Sequence, residues 1–70
     1  MSSRRTYKYH LKVDGRVVLS DITDDLDRRE REHRRRWPTG RIEQVGEPTT
    51  HREAWDWKQR QLEERYGRTG

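Results

Sequence analysis

From Arg5 to Val13 apolar and polar side chains alternate, with Tyr7, Tyr9, Leu11 and Val13 on one face and Lys8, His10 and Lys12 on the other. A period of two marks a half-buried strand. Asp14 and Gly15 suit the two positive-φ positions of a type I′ turn, so Arg16 to Ser20 returns as the second strand of a hairpin. That turn sets Val13 opposite Arg16, Leu11 opposite Val18 and Tyr9 opposite Ser20, with Val17 and Leu19 on the face of Lys12 and His10. Beyond Ser20 the period changes. Ile22, Leu26, Arg29, His33 and Trp37 follow at steps of four, three, four and four, one stripe along a helix.

Thr23 is the expected N-cap of this helix, and Asp24 and Asp25 complement its dipole. Pro38 and Gly40 should end it near Trp37. Arg41 to Val45 reads as a third strand, broken by Gly46 and Pro48. Thr50 and Glu53 form a capping box for a second helix from about His51 to Tyr66, stopped by Gly67. On that helix Trp55, Leu62 and Tyr66 share the side expected to face the core. Trp57 lies with Ala54 and Gln61 and is the ring expected to stay exposed. The fold predicted is α+β, a three-stranded antiparallel sheet with two helices in the order β-β-α-β-α. It forms one domain over residues 5–66, with flexible ends at 1–4 and 67–70.

Composition limits the core. Leu, Ile and Val supply ten of the 70 residues and Phe none, few enough to suggest disorder. Against that, the 43% charged residues nearly balance at net +4, and three Trp and three Tyr bring large buried area per side chain. The expectation is a small folded domain. Without cysteine there is no disulfide framework and no thiolate metal site. No apolar run suits a signal peptide or a membrane span, so a soluble cytoplasmic protein is expected.

Arg28, Arg29, Arg31, Arg34, Arg35 and Arg36 make the first helix look like a nucleic-acid surface. Most have an acid four residues earlier: Asp24 with Arg28, Asp25 with Arg29, Asp27 with Arg31, Glu30 with Arg34 and Glu32 with Arg36. Arg35 has none, and Arg5, Lys8 and Lys12 lie in a stretch free of acids until Asp14. These residues define an expected basic rim. His10, His33 and His51 lack the spacing of metal ligands, and no phosphate loop or nucleophile motif is present.

The segment ITDDLDRREREH (22–33), supported by TTHREAWDWK (49–58), resembles GIY-YIG endonuclease domains, and the resemblance runs from Tyr7 to about Lys58. It implies that Arg29, after Asp25 and Leu26 in a DLxxR pattern, holds the phosphate under attack. Tyr7 matches the tyrosine of the first motif, and His33, one turn after Arg29, is placed to shuttle a proton or bind phosphate. The second motif departs from the family. Leu19, Ser20 and Asp21 stand where its tyrosine and glycine belong, and Lys58 stands where the metal-binding glutamate belongs. The expectation is therefore a degenerate nuclease site with no cofactor, leaning away from an enzyme. Weak nucleic-acid binding would run through Arg29, assisted by Arg5, Lys8, Lys12 and Arg35. The alternatives are an active magnesium- or manganese-dependent endonuclease using a rearranged carboxylate, and a protein-interaction module presenting Trp57.

Overall fold

A computed structural model describes residues 5–66 of the chain; the ends at 1–4 and 67–70 lie outside the described residues. The elements are β1 (Thr6–Val13), β2 (Arg16–Thr23), α1 (Leu26–His33), β3 (Arg41–Thr49) and α2 (His51–Tyr66). The sheet is antiparallel with β1 in the middle, in the order β2-β1-β3. This is the predicted α+β architecture in the predicted order. Asp14 and Gly15 both take positive φ, 53° and 83°, as the tight turn requires.

The hairpin register is where expectation and structure part. Val13 faces Arg16, but Leu11 faces Leu19, His10 faces Ser20 and Tyr9 faces Asp21, because the ladder slips between Leu11 and Lys12. Val18 is the extra residue of a β-bulge. Beyond a bulge every side chain changes face. Leu19 and Asp21 thus join Tyr9 and Leu11 on one face of the sheet, whereas Ser20 joins His10 on the face that α2 covers.

Two further differences concern element ends. Asp25, not Thr23, caps α1: its carboxylate accepts from the Arg28 N–H at 3.0 Å. The Thr23 hydroxyl is engaged with the backbone of Asp25 at 3.0 and 3.3 Å. Regular helix ends at His33, and the Trp37 N–H still reaches the His33 carbonyl at 2.8 Å, so the stripe continues to Trp37 through a turn. Gly40 closes that turn. A Cβ there would stand 3.0 Å from the Trp37 carbonyl oxygen and 3.3 Å from Leu11.

β3 runs on to Thr49 through both expected breakers. Lys8 pairs with Val45 but Thr6 with Thr49, so β3 carries two residues more than a regular ladder. Gly46, at φ 63°, and Pro48 lie in this irregular stretch. An edge strand tolerates them because one row of its backbone groups has no ladder partner to lose. Carboxylates cap both edges: Asp21 accepts from the Ile22 N–H at 2.8 Å, and Glu30 of α1 accepts from the Ile42 N–H at 2.9 Å. Such caps hinder edge-to-edge pairing.

α2 starts as predicted, with the Thr50 hydroxyl accepting from the Glu53 N–H at 3.2 Å. Its two tryptophans are placed opposite to expectation, while Leu62 stays half-buried as expected. Ala54 is fully buried and the Trp57 ring lies 5.6 Å from His10, while Trp55 is 46% exposed. The Tyr66 side chain, placed with Trp55 by its spacing, lies outside the described residues. The reason is size: a helix crossing a small sheet closely needs its least bulky residue at the point of contact, and Ala54 brings Trp57 in with it one turn later. No helix among the described residues is long and apolar enough to cross a membrane.

Among the described residues the fully enclosed apolar side chains are Tyr9, Leu11 and Ala54. With so little enclosed, each matters. Leu11→Ala should destabilise by about 2–5 kcal/mol, whereas Val17→Ala, at a position 37% exposed, should cost no more than about 0.5 kcal/mol. Urea denaturation of the two variants, followed by circular dichroism, checks the contrast.

Candidate functional site

The bulge and the inner stripe of α1 bring four polar side chains together: Tyr9 from β1, Asp21 from β2, and Arg29 and His33 from α1. The Tyr9 hydroxyl lies 2.8 Å from His33 Nε2. Tyr9 is fully enclosed and its hydroxyl has no other side-chain partner among the described residues. The O–H therefore donates to Nε2, which leaves the histidine proton on Nδ1. Burial and the Asp21 carboxylate push the Tyr9 phenol up to about 12. Burial, then the Arg29 charge, hold His33 below its ordinary 6.5. The imidazole is thus neutral and its Nε2 is already occupied. It can offer an N–H to an anion, but it is poorly arranged to accept a proton from water.

Arg29 donates to Glu32 at 3.3 Å, and its Nε is shielded from solvent with no hydrogen-bond partner. The expected pair with Asp25 does not form because that carboxylate is committed to the cap. Other pairs follow the four-residue spacing: Asp24 with Arg28 at 3.2 Å, Arg28 with Glu32 at 3.7 Å and Glu30 with Arg34 at 3.6 Å. Arg36 instead lies over Trp37, 4.9 Å from the ring centroid.

Lys58 reaches from α2 to Asp21, with Nζ 2.9 Å from the carboxylate, and each side chain retains only about a quarter of its exposure. A divalent cation at Asp21 would have to displace this ammonium. Among the described residues no three His, Asp or Glu side chains are grouped to hold a metal ion. The residues present do not fit a magnesium or manganese site, because a hard cation needs several oxygen ligands and Lys58 contributes a positive charge in their place.

The remaining candidates are dispersed. Tyr7 lines a shallow cleft with Leu26, Asp27 and Gln44, so the tyrosine that meets His33 is Tyr9. Two residues along a strand amount to about 6.6 Å, enough to carry a phenol from the start of α1 towards its end. Alternation puts both tyrosines on one face; which one meets α1's last turn depends on how the helix lies. Lys12 pairs with Glu43 at 3.0 Å, Arg35 is exposed beyond α1, and Lys8 extends towards Gly46. The expected rim is therefore not one surface. Arg5 does converge with Arg29, in a cleft of about 360 Å³ also lined by Thr6, Ile22, Thr23, Asp24, Arg28 and His51.

Under α2 lies a second polar group that the sequence did not single out. Arg65 donates to Ser20 Oγ at 3.1 Å, and Ser20 lies 2.7 Å from His10 Nδ1. Burial, then the Arg65 charge, hold His10 below 6.5. The signal for this trio is the period-two pairing of His10 with Ser20, visible only once the bulge is known.

Compared with protein-family models, curated proteins and solved structures, the chain finds no significant match in any of the three.

Two titrations follow. A spectrophotometric titration should show one phenol still protonated well above pH 10.0, ionising near about 12, and Tyr9→Phe should abolish that late step. In acid the sign is set by His10 and His33, both depressed in the folded state. Below pH 6.5 the unfolded chain takes up protons that the folded chain refuses, so stability is full above that pH and falls as the pH drops through the folded values. Urea midpoints at pH 7.5 and 5.0 should show the loss, and the double variant His10→Gln, His33→Gln should flatten it.

Proposed function

We propose that this domain is a nucleic-acid-binding module of GIY-YIG-like build that does not cleave its ligand. The observation carrying this reading is the arrangement of charge at the site: Arg29 keeps a partly exposed guanidinium held only by half-exposed Glu32, while Lys58 neutralises Asp21. An arginine so held suits a phosphate oxygen. Hydrolysis needs more, namely a base for the attacking water and stabilisation of the leaving oxygen. His33 has its Nε2 occupied by Tyr9, and a metal at Asp21 would have to displace Lys58.

Binding should be weak, because the net charge is only +4 and Arg28, Arg29 and Arg34 have acidic partners. Phosphate contacts of this kind lie in the non-specific range of about 10⁻⁴–10⁻⁶ M at physiological salt. Exposed Trp55, with Lys58 5.7 Å from its ring centroid, supports a second reading, a protein-contact surface on α2. That reading moves the expected contact from Trp57 to Trp55.

Anisotropy titrations with DNA and RNA separate the two. Affinity should fall as salt rises, and Arg29→Ala should weaken it about tenfold or more, as loss of a charge-assisted hydrogen bond does. The exposed Arg60→Ala should change it by less than about twofold. Magnesium, manganese or a chelator should alter neither affinity nor strand length, and Lys58→Glu alone should not create cleavage. Absence of binding even at low salt would leave the protein-contact reading.

A further inference from the structure

The cleft holding Arg29 is rich in arginine. It lies where the ends of β1 and β2 meet the starts of both helices: Arg5 enters before β1, Arg28 and Arg29 come from α1, and His51 begins α2. Three guanidiniums face it against one lining carboxylate, Asp24, which Arg28 already holds at 3.2 Å. Glu32 touches Arg28 and Arg29 from outside the lining, sharing one half-exposed charge between two arginines. Water screens much of that attraction. The described lining residues thus carry a formal net charge of +2, which Glu32 outside the lining partly offsets.

Shape and hydrogen bonding agree with charge. The volume of about 360 Å³ lies in the lower range of small-ligand sites, roughly 300–1,000 Å³. Arg29 Nε is closed off from solvent, so what Arg29 offers the cleft is the terminal N–H groups of a side chain 34% exposed. A phosphodiester in a continuous strand brings one negative charge. A phosphomonoester brings about −1.5 to −2 at pH 7 and three acceptor oxygens.

We propose that this cleft binds a terminal phosphomonoester, the 5′- or 3′-phosphate at the end of a nucleic-acid strand, with Arg5, Arg28 and Arg29 as its charge partners. The inference rests on the nucleic-acid reading above and narrows it from backbone to strand ends. Arg5 and Arg28 are exposed, so replacing them does not threaten the fold.

The test uses one internally labelled single-stranded oligonucleotide in three forms, with a 5′-phosphate, a 3′-phosphate, or hydroxyls at both ends, and a phosphoserine peptide as comparison. One phosphorylated oligonucleotide should bind about tenfold or more tightly than the hydroxyl form, as added charge-assisted hydrogen bonds provide, and which one it is identifies the end recognised. Arg5→Gln and Arg28→Gln should each reduce that preference to about threefold or less, while Arg60→Gln keeps it. Equal affinity for all three oligonucleotides would overturn the inference and leave the nucleic-acid reading standing, as would a preference untouched by Arg5→Gln and Arg28→Gln. Binding of the phosphopeptide alone, or of nothing, would overturn both.

Discussion

One extra residue in a strand governs this molecule. Because Val18 bulges out of the β1–β2 ladder, the residues after it exchange faces, and Asp21 comes to lie opposite Tyr9 rather than behind it. Asp21 can then raise the Tyr9 phenol and accept Lys58 from α2. Ser20 is delivered at the same step to His10 and Arg65. In the unbulged register a serine would stand beside Tyr9 and a carboxylate would be pressed under α2. Both polar groups would dissolve together, since a slip of one residue moves every side chain beyond it.

The polar groups matter because apolar burial alone is thin. With Tyr9, Leu11 and Ala54 as the fully enclosed apolar side chains among the described residues, each helix is also fastened to the sheet by polar contacts. α1 is tied by Tyr9 to His33 and by Glu30 to Ile42, and α2 by Lys58 to Asp21 and by Arg65 to Ser20. A net gain of about 0.5–1.5 kcal/mol for each hydrogen bond is comparable with burying one or two methylene groups. Such fastenings are directional, so they specify how the helices sit, and several include groups that titrate. The same contacts that complete the fold make it sensitive to acid.

Charge is arranged with similar economy. Acids at helical spacing pair with Arg28, Arg29 and Arg34, three of the six arginines between residues 28 and 36. Among the described residues Arg31, Arg35 and Arg36 have no acidic partner, and the cleft gathers Arg5, Arg28 and Arg29 in one place. Local excess of this kind gives contact geometry a larger share in choosing the ligand than long-range attraction, because surface charges are screened within about 10 Å at ordinary salt.

Several features were legible in the sequence because they depend on neighbours along the chain. The hairpin turn at Asp14 and Gly15, the stripe from Leu26 to His33, the capping box at Thr50 and the order of five elements follow from backbone preference and periodicity, whereas Ile22, expected on that stripe, lies in β2. So does the place of Arg29 on the inner face of α1. The tertiary structure decided what depends on distant partners: the bulge at Val18, the passage of β3 through Gly46 and Pro48, the turning of Trp57 inward and Trp55 outward, and the meeting of His33 with Tyr9 rather than Tyr7. A bulge or a helix rotation changes local preference very little, yet it changes which surfaces are buried. That choice is made by packing across the sheet, where Ala54 permits close approach and Leu11 fills the centre, and periodicity read along one strand or one helix carries no record of it.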